Sequence, residues 1–154
     1  MEMKPELLTF NNPVLYLYVS STCILILKML SLGIIIPLIR TIKKIPGSPE
    51  DAKFLQANMK DIDTRKEYLE RVRRSHYNDL ENIPFFLLIG LVYVLTDPPA
   101  GPAKILFRVY AAARVIHTAA YITKVRQPVR ALSFLSSLIV ILIMVISILV
   151  HSTL

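Results

Sequence analysis

Two short stretches of this chain place polar side chains where an apolar helix would not be expected to carry them. With about 100° of rotation per residue, Arg74, Asn78 and Glu81 project at about 0°, 40° and 340°, a single narrow stripe. Arg114, His117 and Tyr121 form a second stripe at about 0°, 300° and 340°. Both stripes adjoin long apolar runs, and a charged group at membrane depth costs roughly 3 kcal/mol or more unless it is paired or wet. The stripes should therefore face each other or a partner subunit. The plain structural alternative is mutual satisfaction, with Glu81 neutralised by an arginine and His117 and Tyr121 hydrogen-bonded across helices. Charge balance argues for more than that. Arg40, Arg73, Arg74, Arg114 and Arg130 can converge near one boundary, where only Asp51, Asp79 and Glu81 oppose them. An anionic ligand is the simplest missing partner for that excess of guanidinium.

Other candidates carry less. Lys28 interrupts the first apolar block and reads as a residue that snorkels or pairs inside a bundle. Cys23 is the only cysteine, so an intramolecular disulfide and a cysteine-based metal cluster are both excluded, and its apolar surroundings read as core. His76, beside Arg73 and Arg74, suits a neutral hydrogen-bonding role better than acid-base work. Metal-ligand spacing is absent, so no metal is expected, and four scattered glycines build no phosphate-cradling loop. The net charge of +7 could suit nucleic acid, but the basic residues flank apolar blocks, a placement that fits positive-inside topology or anionic lipid and argues for no nucleic-acid partner.

The elements that position these residues follow from composition. Of 154 residues 54% are apolar and only 19% charged, and the mean hydropathy is +0.53. A soluble domain of this size would carry about 25% charge. The expected architecture is all-α, an integral membrane four-helix bundle forming one transmembrane domain over residues 1–154, with spans at about 13–39, 74–96, 103–123 and 129–150. The first reads as an uncleaved helix, because a secretory signal wants positive charge ahead of a shorter apolar core. Residues 40–73 form the one sizeable loop; from Arg40 to Arg74 the chain carries 10 basic against 6 acidic residues. Charge-dense sequence from Asp61 onward predicts a helix leading into the second span, whose apolar part, Ile83 to Leu95, is too short to cross alone. Lys and Arg concentrate in the first and third connections, so both should face the cytosol.

The run Glu-Arg-Val-Arg-Arg-Ser-His-Tyr-Asn-Asp-Leu-Glu-Asn-Ile, Glu70 to Ile83, resembles the signature of the microsomal glutathione transferases, within the superfamily of membrane-associated proteins of eicosanoid and glutathione metabolism. Pro49-Glu50-Asp51, the stretch Phe107-Arg108 through Arg114 to His117 and Tyr121, and Gln127-Pro128-Val129-Arg130-Ala131-Leu132-Ser133-Phe134 agree with it in order and spacing. The likeness covers nearly the whole chain from about Asn12, with the loop from Lys53 to Tyr68 unmatched.

The resemblance implies a homotrimer with glutathione sites at subunit interfaces, opening toward the cytosol. It places glutathione, as co-substrate, against Arg40, Arg73, Arg74, His76, Asn78, Glu81, Arg114, His117, Tyr121 and Arg130. Arginines suit the two carboxylates and Glu81 suits the ammonium. Arg130 is the expected catalytic residue, a fixed cation beside the sulfur that favours thiolate, with Asp51 orienting it. The implied activity is conjugation of glutathione to hydrophobic electrophiles dissolved in the lipid bilayer, with reduction of lipid hydroperoxides by the same thiolate. The implied location is the endoplasmic reticulum membrane, with the mitochondrial outer membrane as a second site. Prostaglandin E synthases of the superfamily carry a serine after the arginine matched by Arg130, an arginine at the place of Tyr77 and a tyrosine at that of Phe134; Ala131, Tyr77 and Phe134 here favour the transferase. A loop cysteine that serves some members as a modification switch is Ala52 in this chain. The rival from another class is a non-catalytic membrane subunit built on the same polar stripes.

Overall fold

The four apolar blocks form four helices: α1 Pro13–Ile42, α2 Ile62–Leu95, α3 Ala100–Ile122 and α4 Gln127–Thr153. The structure, a computed structural model, describes residues 7–46, 48, 51 and 62–153. Pro49, Glu50, Ala52 and most of the unmatched loop lie outside the described residues. Each helix is long and apolar enough to cross a membrane.

Local chemistry sets the ends. Asn12 caps α1 through Oδ1, which accepts from the Val14 amide at 2.9 Å, and Pro13 takes the first position, where a missing N–H costs nothing. Helices α1, α2 and α3 are followed by Lys44, Asp97 and Lys124, all with φ between 49° and 62°, the left-handed geometry that turns the chain out of a helix. The helix expected from Asp61 onward is present as the start of α2, so the loop within 40–73 ends earlier than Arg73; α2 runs unbroken for 34 residues from Ile62 into the second span. At about 1.5 Å per residue that is about 51 Å, well beyond a hydrocarbon core of about 30 Å. Its charged first turns are good helix formers and carry their own pairs, Glu67 with Arg71 at 2.9 Å and Glu70 with Arg73 at 2.8 Å. A rigid rod thus carries Lys66 to Arg74 out past the apolar layer to one end of the bundle.

Helices α2 and α3 form the centre: α1 packs on both, α4 packs on both, and α1 and α4 do not touch. The core between them is aromatic. Phe86 stacks on Tyr110 with ring centroids 4.2 Å apart, Phe107 meets Tyr18, Phe86 and Tyr93 at 5.8 to 6.1 Å, and Tyr18 donates its hydroxyl to the Leu87 carbonyl at 2.7 Å. The outward faces are apolar as well, with Ile24, Leu27, Phe85, Leu88, Ile105 and Ile146 all exposed, as a lipid-facing surface requires. Cys23 departs from expectation: it lies on this outward face of α1 and not in the core, because at its register it turns away from Ser21 and Leu25, which are buried. In α4 the hydroxyls of Ser133, Ser136, Ser137 and Ser147 bond back to carbonyls three or four residues earlier, which keeps them satisfied without water.

Gly90 of α2 lies against the Tyr18 ring of α1 in this core. A Cβ there would lie 2.8 Å from the Tyr18 ring, which is itself held by the Leu87 bond and by Phe107. Gly90→Ala should therefore cost about 1–3 kcal/mol in spite of alanine's better helix propensity. Thermal unfolding in detergent reads this as a lowered midpoint; an unchanged or raised midpoint would mean that Tyr18 swings aside freely.

Candidate functional site

Asp79 sits on the inward face of α2, 0% exposed, one residue off the Arg74–Asn78–Glu81 stripe. Two other helices converge on its carboxylate. Lys28 of α1 reaches Oδ1 at 2.8 Å, Arg114 of α3 reaches the same oxygen through one terminal nitrogen at 2.6 Å, and the Thr118 hydroxyl donates to Oδ2 at 3.2 Å. Lys28 also donates to the Arg114 carbonyl at 2.9 Å, and the Arg114 nitrogen on Asp79 bonds the Asn78 amide oxygen at 2.7 Å. An isolated carboxylate could not remain charged here; two cations and a hydroxyl make it tolerable.

In front of this cluster, at the end of the bundle where α2 begins and α4 starts, two depressions adjoin. The outer one, about 500 Å³, is walled by Lys66, Glu67, Glu70, Arg71 and Arg74. The inner one, about 430 Å³, is walled by Asn78, His117, Gln127, Ala131 and Phe134. Tyr121 and Arg130 line both. The Arg130 guanidinium lies 5.0 Å from the Tyr121 ring centroid and donates to the Gln127 side-chain oxygen at 2.6 Å, while its Nε is buried without a partner among the described residues. His117 is buried with its ring between Tyr121 and Phe134, at 6.0 and 6.4 Å, and its Nδ1 likewise has no partner among the described residues. The arrangement offers a polar vestibule of mixed charge leading to one arginine flanked by an aromatic wall. That geometry can take a zwitterionic ligand with an anionic end or an ionising group near Arg130.

Of the residues singled out in the sequence, Arg74, Asn78, His117, Tyr121 and Arg130 come together around these depressions. The others do not line them. Arg114 is fully buried behind Asn78, so it supports the wall from within. Arg73 turns to Glu70 and to the Tyr77 hydroxyl, at 2.8 and 3.3 Å. His76 is half-buried with its Nδ1 unpartnered among the described residues, and Glu81 is exposed. Asp51, expected to orient Arg130, holds Arg40 at 3.0 Å; Arg130 takes its orientation from Gln127, one helical turn earlier on α4, a spacing of three that places the pair on one face. The counter-charge of Arg114 is Asp79, which projects about 160° away from Glu81 around α2, toward the core. Asp79 and Gln127 are the residues the sequence reading undervalued; Lys28 pairs inside the bundle as expected.

No group of three or more His, Cys, Asp or Glu able to hold a metal occurs among the described residues.

The MAPEG family profile matches residues 18–150. Microsomal glutathione S-transferase 1 of Rattus norvegicus is 43% identical over 126 residues, 80% of this chain and 81% of the relative. The Homo sapiens protein of the same name is 39% identical over the same share of each. Prostaglandin E synthase of Equus caballus is 35% identical over 133 residues, 84% of either chain.

Removing the hub is the direct test of the cluster behind the site. Asp79→Leu leaves Lys28 and Arg114 buried side by side with no counter-charge, and should cost about 3–5 kcal/mol. Size exclusion and thermal unfolding in detergent should show loss of the folded species; a midpoint equal to that of the wild type would show that the cluster does not bear on stability.

Proposed function

Since this chain belongs to the MAPEG family, we propose that it is a membrane-bound glutathione transferase whose site is built around Arg130 and Tyr121. The observation that carries the reading is the placement of Arg130, shared by both depressions, steered by Gln127 and with its buried Nε unpartnered among the described residues. Glutathione brings two carboxylates, one ammonium and one thiol. The vestibule supplies Arg71, Arg74 and Lys66 for carboxylate. With the peptide end held there, the thiol reaches the inner depression beside Arg130. A fixed guanidinium next to sulfur favours thiolate, so the proton leaves to solvent before the chemical step.

An electrophile dissolved in the bilayer approaches laterally, past Ala131 and Phe134. For an aryl halide the thiolate attacks the ring carbon, a C–S bond forms, the C–halogen bond breaks and halide departs. With a lipid hydroperoxide the same thiolate attacks the terminal oxygen, an S–O bond forms, the O–O bond breaks and the lipid alcohol departs after taking up a proton; a second glutathione then displaces water from the sulfenic acid to give the disulfide.

The remaining residues of the family pattern fit a site completed by a second copy. Arg40, Arg73, His76 and Glu81 do not line the depressions of their own chain, and Glu81 stands exposed on the outward side of α2. In a homotrimer they reach the neighbour's vestibule, where Glu81 takes the ammonium. Both basic connections lie on the cytosolic side in this reading, in the endoplasmic reticulum membrane. Ala131, which offers no hydroxyl beside Arg130, supports conjugation over prostaglandin isomerisation.

Arg130→Ala should keep most of the affinity for glutathione, because other cations hold its carboxylates, while thiolate absorbance and turnover of an aryl halide fall about a hundredfold. Arg130→Lys should recover part of the loss, since a point charge lacks the guanidinium fork. Full turnover in Arg130→Ala would move the role to Tyr121. Glu81→Gln should act on the other end of the ligand, raising the glutathione KM with little change in kcat.

A further inference from the structure

The charge count behind the site does not balance, and the imbalance has a direction. Lys28 and Arg114 are two cations and Asp79 is one anion, with Asp79 and Arg114 0% exposed and the Lys28 side chain 12% exposed. Both cations reach the same oxygen of Asp79. Arg114 commits only one terminal nitrogen; its Nε and its other terminal nitrogen are buried and have no partner among the described residues. One positive charge therefore remains over, on the guanidinium that lies directly behind Asn78.

Asn78 turns that charge toward the cavity. Arginine has donors and no acceptor, so the atom that Asn78 presents to Arg114 at 2.7 Å must be its carbonyl oxygen. The amide nitrogen diverges from that oxygen and is left over from the contact with Arg114, and Asn78 lines the inner depression. The wall facing the ligand carries an N–H donor whose dipole is aligned by the cation behind it. Without Lys28, the Asp79 carboxylate would cancel Arg114 and the wall would lose its charge.

We propose that Lys28, by holding the Asp79 carboxylate from α1, leaves the Arg114 charge uncompensated behind Asn78 and so sets the affinity of the site for anionic glutathione without touching it. Lys28 is thus a positioning residue of that site, and the inference rests on the glutathione reading above. The arithmetic gives it a signature that a packing role lacks. Lys28→Met takes the cluster from +1 to 0, whereas Lys28→Met combined with Asp79→Asn returns it to +1 with a neutral group still in place to accept from Arg114.

The test is equilibrium binding of reduced glutathione and of S-hexylglutathione to the detergent-solubilised full-length protein, with KM and kcat for glutathione measured alongside. Lys28→Met should weaken binding of both ligands about tenfold, an effect on KM with kcat at saturation changed by less than about threefold. Lys28→Arg should stay close to the wild type, and the double variant should regain most of the lost affinity. Lys28→Gln, which keeps a donor for the Arg114 carbonyl, reads the same charge loss where the methionine variant fails to insert. Unchanged affinity in Lys28→Met or Lys28→Gln overturns the inference while leaving the transferase reading intact, as does a double variant no better than the single one. Wild-type protein that binds neither ligand overturns both.

Discussion

The structure depends on one buried carboxylate. Asp79 is fully buried in a bundle whose outer surface is apolar. Its charge is tolerable only because Lys28, Arg114 and Thr118 meet it from two other helices. That requirement fixes the relative depth of α1, α2 and α3 more tightly than apolar packing could, since lipid tails are as good a neighbour for leucine as another helix is. The aromatic cluster of Tyr18, Phe86, Phe107 and Tyr110 then locks the same three helices deeper in the bundle. With that register set, Asn78, His117 and Tyr121 arrive at one level, and α4, packed on α2 and α3, brings Arg130 to meet them.

The position of the depressions follows from helix length. Because α2 continues as a rod beyond the apolar layer, its Glu67, Glu70, Arg71 and Arg74 form a polar wall at the boundary, where a hydrophilic peptide can arrive from water. The inner depression begins one to two turns deeper, where Ala131 and Phe134 of α4 give access from the apolar side. A site with this placement joins two reactants of opposite solubility, each from its own phase. No enclosed apolar pocket need be encoded, and selectivity for the electrophile can rest largely on partition into the bilayer.

Much of the architecture could be read in the sequence because the length of an apolar block is a direct consequence of bilayer thickness. The two polar stripes were visible from the helical period alone, and Arg74, Asn78, His117, Tyr121 and Arg130 do gather. What the period cannot give is the partner across the interface. Asp79 and Glu81 are both acidic and two residues apart, and only the packing of α3 against α2 decides that Asp79 receives Arg114 while Glu81 stays exposed. Asp51 was assigned to Arg130 by resemblance, yet the chain gives it Arg40, since Arg40 closes α1 at the point where the connection leaves. Cys23 looked like core because its neighbours are apolar; in a membrane protein apolar surroundings are equally the mark of the outside.

The central claim is that this site ionises the glutathione thiol. A free thiol has a pKa of about 8.5 and is mostly protonated at neutral pH, so binding as thiolate must release a proton. Isothermal titration of the solubilised protein with glutathione, repeated in two buffers of different protonation enthalpy, counts that proton. The account predicts release approaching one proton per glutathione bound, and none when S-methylglutathione is bound through the same carboxylates. Saturable binding of glutathione with no proton released would contradict it.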